Sequence, residues 1–470
     1  MIVVEPSSHF ELIPHKLVYG GSALGHHKGR PVLVSGALPG ERVEVEPLHQ
    51  AKGVVHGRVF EVLTPSSERI EPPCPYFGRC GGCHYQHLEA SRQLEVKQEI
   101  LRETLRRIGH INWTGEIITR AAEPWHYRNQ VQLKMRPAPD GRAALGFFEA
   151  ESRRLVPIEA CLICSPRLNE VIRELNQPEW TARLGRHREV ELRADNRDED
   201  VMIVLTGNVD EESERLAQDC LSRLPGVVSV AIAPGPDWGG EEVGAGPQRR
   251  SRRTRPRGEP AASKVYGKPR LAYEVGAFRY EISPGSFFQS SRFLLRHFVD
   301  TIAGGDGSSA MQAPATLALD LYAGVGLLTF PLARRFNQVM AVEESRTAAA
   351  DLTRNAAANR VSNVHTVGAS AAEFLRRYAQ APPELVVLDP PRAGAEASVL
   401  RRITEIAPDR IHYASCSPPT LARDLAYLLG HGYGLEFLEL FDFFPQTFHL
   451  ETVAKLNLAA RNEDRVHGAR

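Results

Sequence analysis

A cysteine at the end of an apolar run is the residue of this chain with the clearest potential for chemistry. Cys416 follows Ile411–Ser415, a stretch typical of a strand, and the prolines directly after Ser417 predict that a helix begins there. A helix N-terminus lowers the pKa of a nearby thiol, and the thiolate is the form that attacks carbon. A free cysteine is nevertheless more often a small buried apolar residue, so this stretch alone favours packing.

A carboxylate at the start of an apolar strand is the second candidate. Glu451 precedes the run Val453–Leu456, and a carboxylate in such a place is costly unless it is paired or functional. For Glu451 taken alone, a structural salt bridge is the alternative.

Three further cysteines lie in a glycine-rich loop, where their thiols could converge on one metal centre. They are Cys74, Cys80 and Cys83. Sulfur sites and iron–sulfur clusters are usually held by four cysteines, and Cys161 and Cys164 are the candidates for the fourth ligand. Zinc is the alternative metal, because spacing does not decide between the two.

Length and composition set the frame for these candidates. A chain of 470 residues predicts two or three domains, and 42% hydrophobic with 24% charged residues is ordinary for a globular protein. Lysine plus arginine equals aspartate plus glutamate at 57 each, so nucleic-acid contacts would come from local patches. We expect a cytoplasmic protein without membrane contact or obligate protein partner, because the sequence has no long apolar run or signal pattern.

The first domain is predicted to be a small barrel. Apolar strands alternate with glycine turns between residues 10 and 65. The predicted strands are Lys16–Gly20, Pro31–Ser35, Arg42–Glu46 and Val54–Leu63. Such spacing is typical of a five-stranded, OB-like barrel that binds oligonucleotides, although a purely structural barrel fits the pattern too.

The middle of the chain predicts a docking domain with an insertion. Alternating apolar residues predict a strand over residues 127–136, and Leu145–Phe148 could pair with it as a hairpin. Tyr127 and Arg128, at its start, could clamp an unpaired nucleotide, or could simply be a half-buried strand end. Residues 239–264 are rich in glycine, proline and arginine and predict a disordered basic loop. Cys220 lies in an amphipathic, helix-like stretch and is interpreted as structural.

The last third of the chain alternates strands and helices, which predicts a parallel sheet covered on both faces. The predicted strands are Thr316–Leu321, Val339–Val342, Val364–Val367, Glu384–Leu388 and Arg410–Ser415. Ligands of such sheets bind beyond the carboxyl ends of the strands.

Two motifs lie at those ends. The run Asp320–Gly326 leads a strand into glycines, and Glu343 ends the following strand, where an acidic residue can hold ribose hydroxyls. Thr329 stands where a dinucleotide fingerprint has its third glycine, so S-adenosylmethionine is favoured over a dinucleotide. Asp389 is followed by two prolines that fix the backbone and leave its side chain facing the cleft.

The run from Cys74 through Leu88 strongly resembles the cluster-binding segment of the RNA uracil-C5 methyltransferases that carry a [4Fe–4S] cluster. The resemblance implies an N-terminal TRAM barrel at residues 1–66, a central α+β iron–sulfur and RNA-docking domain at 67–280, and a Rossmann-like S-adenosylmethionine-dependent methyltransferase domain at 281–470. It also selects Cys161 as the fourth cluster ligand.

The resemblance implies a role for most of the candidate residues. Glu451 matches the family's general base, and Leu327 and Ser291 stand where members usually have asparagine. The residues expected to bind S-adenosylmethionine are Gln289, Tyr322, Gly324, Glu343, Ser370 and Asp389.

The expected activity is therefore methylation of carbon 5 of a uridine in RNA, with Cys416 adding to carbon 6. The cluster-plus-barrel arrangement favours ribosomal RNA of the 23S type over transfer RNA. A radical enzyme is disfavoured, because five residues separate Cys74 from Cys80 where such enzymes have three. A non-catalytic RNA-binding module would have no use for Cys416 and Glu451 together.

Overall fold

The computed structural model describes residues 9–137, 143–150, 152–234, 264–304 and 315–459. The chain divides into a large unit, within residues 1–127, 274–281 and 286–470, and a small unit, within residues 128–273 and 282–285. The predicted basic loop, residues 239–264, lies outside the described residues except for Lys264. The division into domains at 66 and 280 stays a prediction.

The N-terminal part of the large unit is a six-stranded sheet. Its strands are β1 Phe10–Leu12, β2 Lys16–Leu17, β3 Ser22–His27, β4 Arg30–Ser35, β5 Arg42–Ala51 and β6 Val54–Thr64, in the order β1-β5-β6-β4-β3-β2. Neighbouring strands are antiparallel except β4 and β6. Alternate valines of β4 and β5 are completely buried, as the period of two predicts.

The observed strands of the N-terminal sheet differ from the predicted ones in the length of one strand and in the number of strands. Lys16–Gly20 was expected as one strand, but the strand ends at Leu17. Gly20 and Gly21 follow with φ values of +109° and +87°, which reverse the chain into β3. Strands β1 and β3 were not among the four predicted ones, and the sheet has six strands where five were expected.

A long helix, α1 Ala90–Ile108, and a short strand, β7 Ile118–Arg120, follow the cysteine loop. The apolar face of α1 buries Val96, Ile100 and Leu101. Two polar side chains on the same helix, Gln93 and Lys97, are also completely buried. Buried polar groups need partners.

The small unit is built on a seven-stranded sheet with the order β10-β9-β8-β11-β12-β13-β14. Its elements are β8 Gln130–Pro137, β9 Ala143–Phe148, β10 Leu155–Pro157, α2 Pro166–Leu175, α3 Pro178–Leu184, β11 Glu189–Ala194, β12 Val201–Gly207, α4 Glu211–Arg223, β13 Val227–Pro234 and β14 Lys264–Gly267. The antiparallel pairing of β8 with β9 confirms the predicted hairpin. Cys220 lies on α4 and is completely buried, in agreement with a structural role.

The C-terminal part of the large unit is an eight-stranded sheet with helices between its strands. After a two-stranded sheet, β15 Leu271–Val275 and β16 Phe278–Ile282, the elements are α5 Leu295–Ala303, β17 Ala315–Leu321, α6 Thr329–Ala333, β18 Phe336–Val342, α7 Arg346–Ala358, β19 Val364–Val367, α8 Ala371–Arg377, β20 Leu385–Leu388, α9 Ala397–Ile406, β21 Arg410–Ser415, α10 Pro418–Leu429, β22 Tyr433–Phe441 and β23 Glu451–Leu458.

The eight-stranded sheet is mixed rather than wholly parallel. Its order is β19-β18-β17-β20-β21-β23-β22-β7, and the first five strands are parallel, as predicted. Strand β23 runs antiparallel to both β21 and β22. The buried residues of the parallel strands, among them Leu319, Leu388 and Ile411, form the core with α9 and α10. No helix among the described residues is long and apolar enough to cross a membrane.

Candidate active site

The predicted site residues of the C-terminal sheet follow the carboxyl ends of its parallel strands. Tyr322 and Gly324 follow β17, Glu343 follows β18, Asp389 follows β20 and Cys416 follows β21. The chain order reverses between β17 and β20, which are neighbours in the sheet. Such a reversal opens the crevice in which open α/β sheets bind ligands.

The loop after β17 has a backbone that few residues adopt. Tyr322, Gly324 and Gly326 have φ values of +69°, +56° and +99°. A Cβ atom on Gly326 would lie 2.5 Å from the Phe330 ring, so glycine is required there. Positive φ at a non-glycine residue such as Tyr322 is strained, and such strain concentrates at functional sites.

Glu343 holds this loop in place. Its Oε2 accepts a hydrogen bond from the Gly324 amide at 2.8 Å, and its Oε1 accepts one from the Ser345 amide at 2.7 Å. Each carboxylate oxygen can accept a further hydrogen bond. Glu343 could therefore still accept hydrogen bonds from ribose hydroxyls, and this predicted contact stays a prediction.

Asp320 is a buried carboxyl group beneath this loop. Burial, followed by the charges of Asp389 and Glu343, raises its pKa to about 7, although a hydrogen bond from Thr329 acts in the opposite direction. The Thr329 hydroxyl donates to Oδ2 of Asp320 at 2.5 Å. Thr329 stands where a dinucleotide fingerprint has its third glycine, and here it is the hydrogen-bond partner of this carboxyl group.

The proline loop that carries Asp389 is fastened to α10. The Ala395 amide donates to Oδ2 of Asp424 at 2.9 Å, and the Tyr413 hydroxyl donates to the same oxygen at 2.6 Å. Gly394, with φ of +77°, passes so close that an added Cβ would lie 2.6 Å from that oxygen. Burial raises the pKa of Asp389 to about 7.

Cys416 and Glu451 are brought together by the antiparallel pairing of β21 with β23. Ser415 is paired with Thr452, so the residue after β21 and the first residue of β23 lie at the same edge of the sheet. Glu451 is 3% exposed, and its Oε1 has no hydrogen-bond partner among the described residues. Burial, together with the charge of Asp389, raises the pKa of Glu451 well above its usual range, and Arg392 partly offsets this.

The expected low pKa of the Cys416 thiol was wrong. The cysteine does precede a helix, α10, but burial and the nearby Glu451 carboxyl raise the thiol pKa to about 11. Arg392 acts in the opposite direction and favours the thiolate. Desolvation and negative charge outweigh the helix N-terminus, which acts only over its first turn.

The segment that leads into Glu451 is fixed by the region around α1. The amides of His84 and Tyr85 donate to the Gln446 carbonyl at 2.8 and 3.0 Å. Gln93 and Gln446 also exchange hydrogen bonds, since the Gln93 side chain donates to the Gln446 side chain at 2.9 Å and accepts from its amide at 2.8 Å. Lys97 donates to Asp442 at 2.6 Å. These contacts set the position at which β23 begins.

Comparisons with known proteins decide the family. A family model described as tRNA (Uracil-5-)-methyltransferase matches residues 266–458. The chain is 32% identical over 467 residues to an uncharacterised RNA methyltransferase of Thermosynechococcus vestitus, covering 97% of this chain and 99% of that protein. It is also 32% identical to the 23S rRNA (uracil(1939)-C(5))-methyltransferase RlmD of Alkalilimnicola ehrlichii, covering 97% and 98%.

The chain belongs to the RNA uracil-C5 methyltransferase family. A solved structure shows the same fold: the tRNA (uracil-54, C5)-methyltransferase of Pyrococcus abyssi, in complex with S-adenosyl-L-homocysteine. Its TM-score is 0.67 at 24% identity, with 95% of this chain and 100% of that chain covered.

Two residues that the family resemblance assigns to the cofactor lie in different surroundings. Gln289 is buried in the segment between β16 and α5. Ser370 caps the N-terminus of α8, where its hydroxyl accepts a hydrogen bond from the Glu373 amide at 3.2 Å. The cap gives Ser370 a structural task, and its contact with the cofactor stays a prediction.

The cysteines predicted to hold a cluster are not shown to do so. Among the residues with described positions, no group of three or more histidine, cysteine, aspartate or glutamate side chains is arranged to hold a metal ion. Cys74, Cys80 and Cys83 are partly buried in a turn in which the Cys80 amide donates to the Tyr76 carbonyl at 2.8 Å. Their chemistry suits a soft metal, since thiolates are the usual ligands of iron–sulfur clusters.

Cys161 and Cys164 differ in character. Cys164 is completely buried, whereas Cys161 is partly exposed. A hydrogen bond from the Cys164 thiol, helped by the amides of Ile163 and Cys164, lowers the pKa of Cys161 to about 7. The choice of Cys161 over Cys164 as the fourth ligand stays a prediction.

Two residues near Cys416 were not predicted from the sequence. Arg392 follows the two prolines after Asp389, and its charge acts on both Cys416 and Glu451. Tyr19, from the turn after β2, lies edge-on to Phe448 with ring centroids 5.3 Å apart. The two prolines before Arg392 could have indicated that this residue lies near the site, whereas no local sequence pattern marks Tyr19.

The raised thiol pKa predicts the pH dependence of Cys416 alkylation. Iodoacetamide reacts with the thiolate, so the rate at Cys416 should rise with pH towards a midpoint near 11, above the usual value of 9. In E451Q a negative neighbour is removed, which favours the thiolate and moves the midpoint to lower pH. Peptide mass spectrometry of partly alkylated protein measures both midpoints. E436Q, which replaces an exposed glutamate on β22, serves as the control. An alkylation midpoint below pH 9 in the unaltered protein would contradict the prediction.

Proposed function

We propose that the protein transfers a methyl group from S-adenosylmethionine to carbon 5 of a uridine in RNA, with Cys416 as nucleophile and Glu451 as general base. The observation that carries the proposal is their juxtaposition: a thiol and an almost completely buried carboxyl group at the edge of a methyltransferase sheet. A structural salt bridge does not account for the burial of Glu451, since its Oε1 has no hydrogen-bond partner among the described residues.

The chemistry needs both groups because carbon 5 of uracil is a weak nucleophile. S-adenosylmethionine supplies an electrophilic methyl group. The Cys416 thiolate forms a bond to carbon 6, and the electron pair of the carbon 5–carbon 6 double bond moves towards the carbonyl at carbon 4. The resulting enolate makes carbon 5 nucleophilic. After methylation, Glu451 takes the proton from carbon 5, the double bond re-forms and the bond from sulfur to carbon 6 breaks.

The protonation of the two groups suits these steps. A carboxylate of raised pKa is a stronger base than an exposed one, which favours removal of a proton from carbon. Burial raises the pKa of the Cys416 thiol to about 11, so the thiol must release its proton to solvent before its sulfur bonds to carbon 6. Arg392 favours the thiolate that forms.

The crevice beside these residues is the proposed site for S-adenosylmethionine. Glu343 and Asp389 follow β18 and β20, the two strands on either side of β17, and the strained loop at Tyr322 and Gly324 follows β17 itself. Gln289 and Ser370 complete the set that the family resemblance implies. The fold shared with an S-adenosyl-L-homocysteine complex supports this placement.

Ribosomal RNA of the 23S type is the proposed substrate. The support is the full-length similarity to a protein named as a 23S rRNA methyltransferase. A base within a stack is closed on both faces, so the target uridine must lie in a loop or be flipped out.

We further propose that residues 1–66 form a TRAM barrel and that residues 67–280 dock RNA. Transfer RNA is the second candidate, because the structural relative acts on it by name.

We also propose that Cys74, Cys80, Cys83 and Cys161 are ligands of a [4Fe–4S] cluster. The support is the resemblance of the cysteine loop to that of cluster-carrying members. No step of methyl transfer needs the cluster.

Replacing the nucleophile tests the proposed function. Total RNA from a strain that lacks the gene is incubated with S-adenosylmethionine carrying a tritiated methyl group, and the labelled base is identified. The unaltered protein should form 5-methyluridine, and C416A should lose roughly 10³-fold or more of this activity while still binding S-adenosyl-L-homocysteine. Label in ribosomal but not transfer RNA supports the proposed substrate. Substantial turnover by C416A would exclude Cys416 as nucleophile.

Replacing the base should trap the reaction after methylation. In E451Q the proton on carbon 5 has no acceptor, so the protein remains joined to RNA through Cys416. A slowly migrating band on a denaturing gel should appear with E451Q and be absent from the double variant E451Q/C416A. The matched control is E436Q, which replaces an exposed glutamate on the adjacent strand β22. Normal turnover by E451Q without such a band would place the base elsewhere.

The cluster is tested by purification without oxygen. A [4Fe–4S] protein should be brown, absorb visible light and contain about four iron atoms per chain. C161A should lose iron, whereas C164A, which replaces a completely buried cysteine, should retain it. A colourless protein with one zinc atom would instead support the zinc alternative.

A further inference from the structure

A tyrosine from the N-terminal sheet reaches the catalytic edge of the C-terminal sheet. Tyr19 lies at the tip of the turn between β2 and β3. The turn is closed by hydrogen bonds from the Val18 amide to the Ser22 carbonyl at 3.0 Å and from the Gly21 amide to the Val18 carbonyl at 3.2 Å. The turn therefore presents Tyr19 in a defined direction.

The turn packs tightly on the segment that carries the proposed base. A Cβ atom on Gly21 would lie 2.9 to 3.0 Å from side-chain atoms of His84. The His84 ring lies edge-on to Phe448 at 4.7 Å, and Tyr19 lies edge-on to the same ring at 5.3 Å. Phe448 precedes Glu451 by only two intervening residues. Through Phe448, Tyr19 thus contacts the segment that leads directly into the proposed base.

The charges of the reacting groups act on the phenol of Tyr19. Burial raises its pKa, a hydrogen bond with the Ser417 side chain and the charge of Arg392 lower it, and the charges of Cys416 and Glu451 raise it. Ser417 is buried directly beside the proposed nucleophile. When the Ser417 hydroxyl donates to the phenol oxygen, the phenol proton is left to be donated elsewhere.

We propose that Tyr19 is a catalytic residue that donates a hydrogen bond from its phenol to a carbonyl oxygen of the target uracil. This inference rests on the proposed function. As the Cys416 thiolate bonds to carbon 6, the displaced electron pair places negative charge on the oxygen at carbon 4. A donor aimed at that oxygen stabilises the developing charge, as in an oxyanion hole. The phenol keeps its proton, and the electron pair returns when the bond between sulfur and carbon 6 breaks.

A purely structural role makes a different demand on the same side chain. If Tyr19 only packs the turn against Phe448, the ring suffices and the hydroxyl is dispensable. Phenylalanine keeps the ring contact and removes the donor, so Y19F separates the two roles. Tyr427 is a half-buried tyrosine on α10 whose ring stacks on His431 at 4.1 Å, and Y427F is the matched control.

The test measures single-turnover methyl transfer to total RNA from a strain that lacks the gene, with tritium-labelled S-adenosylmethionine. Y19F should slow methyl transfer roughly 10²- to 10³-fold, in keeping with the loss of one donor to a developing oxyanion. Binding of S-adenosyl-L-homocysteine and the thermal unfolding midpoint should match the unaltered protein, and Y427F should match it in every assay. In an E451Q background, Y19F should slow formation of the covalent RNA adduct by a similar factor, because the charge develops in the addition step.

The outcomes that contradict the proposal are distinct. Transfer by Y19F at the unaltered rate would overturn the role of the hydroxyl while leaving the proposed function intact. A slower Y19F whose unfolding midpoint or S-adenosyl-L-homocysteine binding falls in parallel would assign Tyr19 a structural role. Absence of uridine methylation by the unaltered protein would instead overturn the proposed function itself.

Discussion

The candidate site depends on one pairing, the antiparallel insertion of β23 between β21 and β22. In a wholly parallel sheet, the residues at one edge all come from strand ends, and each is followed by a loop and a helix. An antiparallel strand brings its first residue to that edge instead. Because Ser415 pairs with Thr452, Glu451 arrives beside Cys416 without any loop having to fold over the site.

This pairing sets the position of Glu451 only if the chain before β23 is held firmly. A buried ion pair and an exchange of hydrogen bonds hold it, joining Lys97 to Asp442 and Gln93 to Gln446. Burial lowers the pKa of Lys97, and Asp442 opposes this shift. Losing one member of such a pair costs about 3–5 kcal/mol, because the other charge is left buried and alone.

Much of this arrangement could be predicted from the sequence, because it rests on local patterns. The strands Val364–Val367 and Arg410–Ser415 were predicted with the bounds that the structure has, since short apolar runs between helical stretches are distinctive. Neighbouring residues also marked Cys416 and Glu451 as candidates, although their catalytic roles were implied only by the family resemblance. These features need no knowledge of distant parts of the chain.

The rest depends on contacts between distant segments. The direction of β23 is set by its pairing with β21 and β22, which no local pattern encodes. Tyr19 is far from Phe448 in the sequence, and the packing of a glycine turn against His84 brings it there. The pKa of Cys416 was misjudged for the same reason: the helix N-terminus is visible in the sequence, whereas the desolvation and the carboxyl groups that outweigh it come from the fold.

The electrostatics of the site favour a cationic ligand. Asp320, Asp389 and Glu451 all have raised pKa values, chiefly because each is buried. A positive charge bound at this edge of the sheet lowers the pKa of every acidic group near it, including the Cys416 thiol. The sulfonium of S-adenosylmethionine is such a charge. The same burial that keeps Cys416 protonated in the free protein therefore makes the ionisation of its thiol sensitive to a cation bound nearby, since electrostatic interactions are stronger in a dry site than in water.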